Sequence, residues 1–196
     1  MGVSTVTAAR ILEGQLMGGS GEENFLSFEE FPHVALIKTY NVDGQVPDSA
    51  GTMTAIMTGK KARLGAISVG PAADRDDCEA ALTHSLPTLL EELEDKGYRT
   101  GIISTTRITH ATPAATYAHS PDRDWEVDGA VPETDRARCK DIARQLIEFD
   151  HGDGIDVVLG GGRSVFFSNS DSDPEQPDGM GVRGDGRNLI SEWQQG

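Results

Sequence analysis

One serine in this chain stands where chemistry is possible. Ser49 lies in Val46-Pro47-Asp48-Ser49-Ala50-Gly51-Thr52-Met53-Thr54-Ala55, where a loop gives way to small residues that read as a helix over Ser49–Lys61. A helix N-terminus presents unpaired backbone N–H groups and a partial positive charge, both suited to an anion. A serine there can also be a plain N-cap, and spacing alone favours the cap. No Gly-x-Ser-x-Gly elbow surrounds it, which argues against an α/β-hydrolase esterase. A second segment runs Thr105-Thr106-Arg107-Ile108-Thr109-His110-Ala111-Thr112-Pro113-Ala114-Ala115-Thr116-Tyr117-Ala118-His119, then Ser120-Pro121-Asp122-Arg123. It gathers two histidines, several hydroxyls and arginines. The bland alternative has Thr112 capping a helix, His119 packing or capping its end, and Arg123 solvated. Spacing does not choose between these.

The elements that must position these residues follow from periodicity. Ala8, Ile11, Leu12 and Leu16 keep helical spacing over about Ser4–Leu16, and Gly18, Gly19 and Gly21 end that helix. His33–Thr39 is an apolar run that reads as a buried strand. Leu86, Leu89, Leu90 and Leu93 mark a helical face, closed by Lys96 and Gly97. Arg99–Thr106 is the next strand, and Thr112–His119 a short helix with Pro113 at its first position. Cys139, Ile142, Ala143 and Leu146 give another helical face; Ile155–Leu159 is a strand followed by three glycines; Asn188–Gln194 opens a last helix. Apolar strands alternating with helices predict an α/β fold with a largely parallel central sheet. In such sheets ligands sit beyond the carboxyl ends of strands, which is where the second segment falls. No repeat is visible, and residues 1–196 read as one domain with no second one.

Ser168–Arg187 is rich in Asp, Ser, Pro and Gly and reads as a solvated loop. Asp171, Asp173 and Glu175 invite a calcium-loop reading, but the sixth position is Gln176 and the twelfth Val182, so the EF-hand pattern fails.

Composition narrows the partners. The 196 residues are 37% hydrophobic and 25% charged, as expected of a soluble globular chain. No apolar run is long enough to span a membrane, and Met1–Thr7 lacks the pattern of a signal peptide. A net charge of -15 argues against nucleic acid or an anionic membrane as partner. Scarce Lys on an acidic chain fits a saline source. Cys78 and Cys139 are the only cysteines, read equally as two buried thiols or as a bridge.

The two segments resemble the alkaline phosphatases. Asp48-Ser49-Ala50 with its trailing Thr and Ala residues is similar to that family's nucleophile region, and the Thr109–His119 block to its magnesium-side block. Val157–Arg163 and Asp185–Trp193 match further stretches in the same order, so the resemblance covers essentially the whole chain. It implies a three-layer α/β/α fold, here incomplete. Further, it implies hydrolysis of phosphate monoesters through a phosphoserine, with two zinc ions and one magnesium, usually in a homodimer. On the resemblance, Ser49 is the nucleophile and a zinc ligand. Arg123 clamps the phosphate, Asp48 orients Arg123, Thr112 binds magnesium, and His110 acts near magnesium through water. His119 is given a packing role. Cys78 and Cys139 match a cysteine pair bridged in one branch, which implies a disulfide and a periplasmic or extracellular setting.

The departures carry expectations of their own. Met1-Gly2 resembles the end of the family's Asp-Gly-Met-Gly motif without its metal-binding aspartate. Asp178-Gly179-Met180-Gly181 repeats the string inside the polar loop and receives no metal role. The remaining metal ligands of the family come from a C-terminal half that this chain does not contain. The expectation is therefore a piece of the enzyme, short at both ends, with little or no activity by itself. The alternative is a catalytically dead anion-binding or partner module of the same fold.

Overall fold

Helix α1 (Val3–Leu16) forms where periodicity predicts it, yet Leu12 and Leu16 remain exposed and Gly14 is its buried residue. A computed structural model describes residues 2–195, in two compact units divided between residues 38 and 39. In the first unit the chain turns back onto α1 at Gly21. There φ is +102° and a Cβ would lie 2.3 Å from the Ile11 carbonyl oxygen, so only glycine fits. Asn24 Nδ2 then donates to Glu13 Oε2 at 2.7 Å, and Arg10 pairs with Glu29 at 3.3 Å. Met1, which begins the Met1-Gly2 string, lies outside the described residues.

The strand expected over His33–Thr39 does not form. Val34, Leu36 and Ile37 are 90%, 88% and 75% exposed, and no β-ladder includes the run. Apolar, β-branched composition favours a strand only where a neighbouring ladder takes its backbone groups.

The second unit holds the remaining elements: α2 (Ser49–Thr58), α3 (Cys78–Thr83), α4 (Leu89–Glu94), β1 (Gly101–Arg107), α5 (Ala111–Ala114), α6 (Ile142–Ile147), β2 (Val157–Gly161), β3 (Ser172–Asp173), β4 (Gln176–Met180) and α7 (Leu189–Gln195). β1 and β2 pair in parallel, Ile102 opposite Val158 and Ile103 opposite Leu159, with helices between them in sequence. This is the α/β arrangement, and among the described residues its parallel sheet has two strands. Ile103, Val157 and Leu159 are exposed on it. α2 is shorter than predicted because Gly59 takes a left-handed cap at φ +72°. α4 starts after Leu86, whose N–H is taken by the Ser68 carbonyl; Thr88 and Glu91 form its capping box. Pro113 is the third residue of α5, not the first, a position whose N–H has no intrahelical partner in any case.

The core explains the run of small residues. Ala50 of α2 and Ala111, Ala114, Ala115 and Ala118 are buried together with Ile67, Ile102, Ile108, Tyr117 and Ile142. Alanines let backbones approach closely, and Tyr117 fits because its hydroxyl donates to the Ile108 carbonyl at 3.0 Å.

The polar segment 168–187 is not a plain solvated loop. It folds as the β3–β4 hairpin, which places Asp178-Gly179-Met180 in β4. Arg183 is fully buried, its guanidinium 2.9 Å and 3.0 Å from the two Asp141 oxygens and also paired with Asp185. A buried cation of this kind is tolerated because carboxylates on two sides pair it.

Cys78 and Cys139 form a disulfide with a sequence separation of 61, packed with Trp125 and Val131. In the chain-entropy account a loop of that length constrains the unfolded state by about 4 kcal/mol. Urea unfolding with and without reductant should show a loss of that order; equal midpoints would refute it.

Candidate active site

Asp48, not Ser49, caps α2. Its Oδ1 accepts from the Gly51 N–H at 2.9 Å, so Ser49 becomes the first helical residue and its hydroxyl is not used as the cap. The same carboxylate collects three further donors. Asn41 Nδ2 donates to Oδ1 at 2.9 Å, the Gly65 N–H to Oδ2 at 2.9 Å, and Arg123 Nη1 to Oδ2 at 3.3 Å. Burial opposes the Asp48 charge, but these donors outweigh it and hold the carboxyl below its ordinary value. Asn41 reaches it because residue 51 is glycine: a Cβ there would lie 2.3 Å from Asn41 Nδ2.

Arg123 is pinned rather than solvated. Its backbone N–H donates to the Gly65 carbonyl at 2.8 Å. Its Nη1 faces Asp48, and its Nη2 donates to His110 Nε2 at 3.0 Å. His110 follows β1 and is the N-cap residue of α5. Facing a guanidinium that can only donate, Nε2 is an acceptor, and burial, then the nearby Arg123 and Arg107 charges, hold the His110 pKa below its ordinary value. The His110 Nδ1 is buried and has no hydrogen-bond partner among the described residues. Arg107 and Thr109, at the same end of β1, both bond the Glu126 carboxylate, Arg107 through two nitrogens at 2.9 and 2.7 Å and Thr109 at 2.5 Å. They tie the strand end to the segment carrying Arg123.

Arg123 thus touches both Asp48 and His110, and Ser49 adjoins Asp48 in the chain. Thr112 is exposed on α5, within its helical turn and not at its cap. Three contributors had no role in the sequence reading. Asn41 and Gly65 bond Asp48 from outside its motif. Asp122 accepts Arg75 Nε and Nη2 at 2.8 and 2.9 Å from 47 residues away. Only the Asp48-x-x-Gly51 spacing, a cap signal, was open to local reading.

Among the described residues no three His, Cys, Asp or Glu side chains gather to hold an ion. Zinc takes three or four protein ligands. The described residues do not fit a zinc pair.

The alkaline phosphatase family model matches residues 1–196. The chain belongs to the alkaline phosphatase family. It is 49% identical to the tissue-nonspecific alkaline phosphatase of Gallus gallus over 98% of its own length, and 49% identical to the alkaline phosphatase of Gadus morhua over the same share. It spans 38% and 41% of those relatives' lengths. Among solved structures, the alkaline phosphatase of the Antarctic bacterium TAB5 superposes with a TM-score of 0.63 at 24% identity, covering 96% of this chain and 42% of that one. The cold-active enzyme of a psychrophilic Shewanella gives 0.61 at 26%, covering 100% and 37%. These likenesses establish the fold as that of the alkaline phosphatases, present here in part. Members of this family are phosphoric monoester hydrolases.

His119 lies between two acceptors. Its Nδ1 lies 3.0 Å from the Ser68 carbonyl and its Nε2 2.6 Å from Glu91 Oε1, so both nitrogens face acceptors and both carry protons. His151 Nε2 is 3.8 Å from the same Glu91 oxygen and itself pairs with Asp95. Burial opposes the charged forms. The contact nonetheless raises the His119 pKa above 6.5 and lowers that of Glu91 below 4.5. The His119 contribution is complete below its unfolded pKa and is lost as pH rises through the folded one; the Glu91 contribution is lost as pH falls through its own. Glu91→Gln should therefore lower the melting temperature most near about pH 6, with the deficit shrinking toward about pH 9. A deficit independent of pH would contradict the ion pair.

Proposed function

We propose that this chain supplies the nucleophile and the phosphate clamp of an alkaline phosphatase acting on phosphate monoesters. The observation that carries the reading is the Asp48–Arg123 contact, which ties the guanidinium to the cap of the helix that Ser49 opens. A phosphate dianion on Ser49 would meet backbone N–H groups at the start of α2 and the free edge of the Arg123 fork. Asp48 and neutral His110 fix that fork from two sides, so Arg123 is oriented before substrate arrives.

The reaction then balances simply. The Ser49 oxygen forms a bond to phosphorus as the bond to the leaving alkoxide breaks in line, and the serine proton ends on the departing alcohol. Water next attacks phosphorus, the phosphoserine bond breaks, and orthophosphate leaves with Ser49 reprotonated. Arg123 N–H groups meet the charge on the non-bridging oxygens in both steps.

For metals, the resemblance points to Ser49 as a zinc ligand, Thr112 as a magnesium ligand and His110 near magnesium through water. A variant of the Antarctic enzyme is described with magnesium bound, which supports a magnesium requirement. Two zinc ions and one magnesium require donors beyond the described residues, so the 196-residue chain alone should turn over little aryl phosphate. Residues 1–196 read as part of one domain of a homodimeric enzyme. The Cys78–Cys139 disulfide supports a periplasmic or extracellular setting.

The test uses an active polypeptide of the relatives' full length that contains these residues. Ser49→Ala should cost roughly 10³-fold or more in kcat and abolish labelling of the protein by phosphate. Arg123→Ala should cost about 10²-fold in kcat/KM and weaken inhibition by orthophosphate. Retained labelling in Ser49→Ala would overturn the assignment.

A further inference from the structure

We propose that Arg75 is a positioning residue for the phosphate clamp. The inference rests on the reading of Arg123 as that clamp. Arg123 sits between Asp122 and Asp124, and Arg75 holds both neighbours. Its Nε and Nη2 form a fork onto the nearly buried Asp122 carboxylate, and Nη2 also lies 3.1 Å from Asp124 Oδ2. The Asp122 carboxylate in turn accepts the Asp124 N–H at 2.8 Å, closing a turn around residue 123.

Arg75 also lies against the residue from which Arg123 hangs. Gly65 has φ +80°, and a Cβ built on it would lie 3.0 Å from Arg75 Nε and 3.1 Å from Cζ. The guanidinium therefore rests where a side chain at position 65 would stand. Gly65 is itself bonded at both ends: its carbonyl takes the Arg123 N–H and its N–H goes to Asp48. One planar cation thus holds the carboxylates before and after Arg123 and lies against Gly65, while Asp48 and His110 fix that arginine's tip. Arg75 belongs to a turn secured in its own right. Arg63 Nε donates to the Pro71 carbonyl at 2.9 Å, Arg63 pairs with Asp74 at 3.2 Å, and Cys78 follows in the disulfide.

A fork, unlike a point charge, fixes direction, so lysine does not replace it. A clamp displaced by even a fraction of an ångström loses phosphate contacts in substrate, product and transition state alike. Arg75→Ala and Arg75→Lys should each raise KM for an aryl phosphate and Ki for orthophosphate about 10-fold, with kcat changed by less than about 3-fold. Added guanidinium, at concentrations that leave the melting temperature unchanged, should restore Ki in Arg75→Ala and leave Arg75→Lys unaffected.

The measurement is made in the same active full-length polypeptide, with Arg123→Ala as reference. If Arg75→Lys keeps wild-type KM and Ki, or if Arg75→Ala loses only melting temperature, Arg75 is merely structural and the proposal is wrong. If Arg123→Ala itself leaves Ki for orthophosphate unchanged, the clamp reading fails first, which separates the two outcomes.

Discussion

The Asp48 carboxylate is the junction on which the site depends. It accepts four donors from four places: a helix start, the Asn41 amide, the Gly65 backbone and the Arg123 guanidinium. Each donor alone is worth on the order of 1 kcal/mol net. Their common acceptor makes them conditional on one another, because moving any one leaves a partly buried charge short of a partner. This is why a loop residue can orient the side chain of a residue 75 positions later.

The charge pattern around the junction is alternating, which reconciles an acidic protein with an anionic substrate. The chain carries -15 overall, yet Asp122, Asp124 and Glu126, all close to Arg123 in sequence, pair with other guanidiniums. Glu126 is taken by Arg107, Asp122 by Arg75, and Asp48 shares Arg123 with a neutral imidazole. Arg123 therefore keeps donors that no carboxylate consumes. The same economy appears in the interior, where Arg183 is neutralised by Asp141 and Asp185 without reaching water.

What sequence could show was set by range. Helices α1, α4 and α6 were legible because their apolar periodicity is local, α2 as a run of small residues, and β1 and β2 as short strand-like runs. The cysteine bridge was open from the residues alone and favoured only through the family likeness. The 33–39 run failed as a strand because composition records affinity for a sheet but not whether a ladder is present. Ser49 was favoured as a cap because Ser and Asp are both good caps; the backbone gave that role to Asp48 and left the hydroxyl free. Arg75 was invisible: an ion pair spanning 47 residues leaves no periodic trace.

The β1–β2 pair has a further implication for handling the protein. Parallel strands are normally sheltered on both faces, since they read as apolar throughout. Here Ile103, Val157 and Leu159 meet water beside one another on a ladder of only two strands. Such a surface gains by meeting another like itself, through apolar contact and through unpaired edge amides. Dilute, cold, low-salt storage weakens that attraction, because hydrophobic association fades on cooling and sulfate or phosphate salts strengthen it. Salts such as ammonium sulfate would therefore favour contact between copies of this chain at the β1–β2 face.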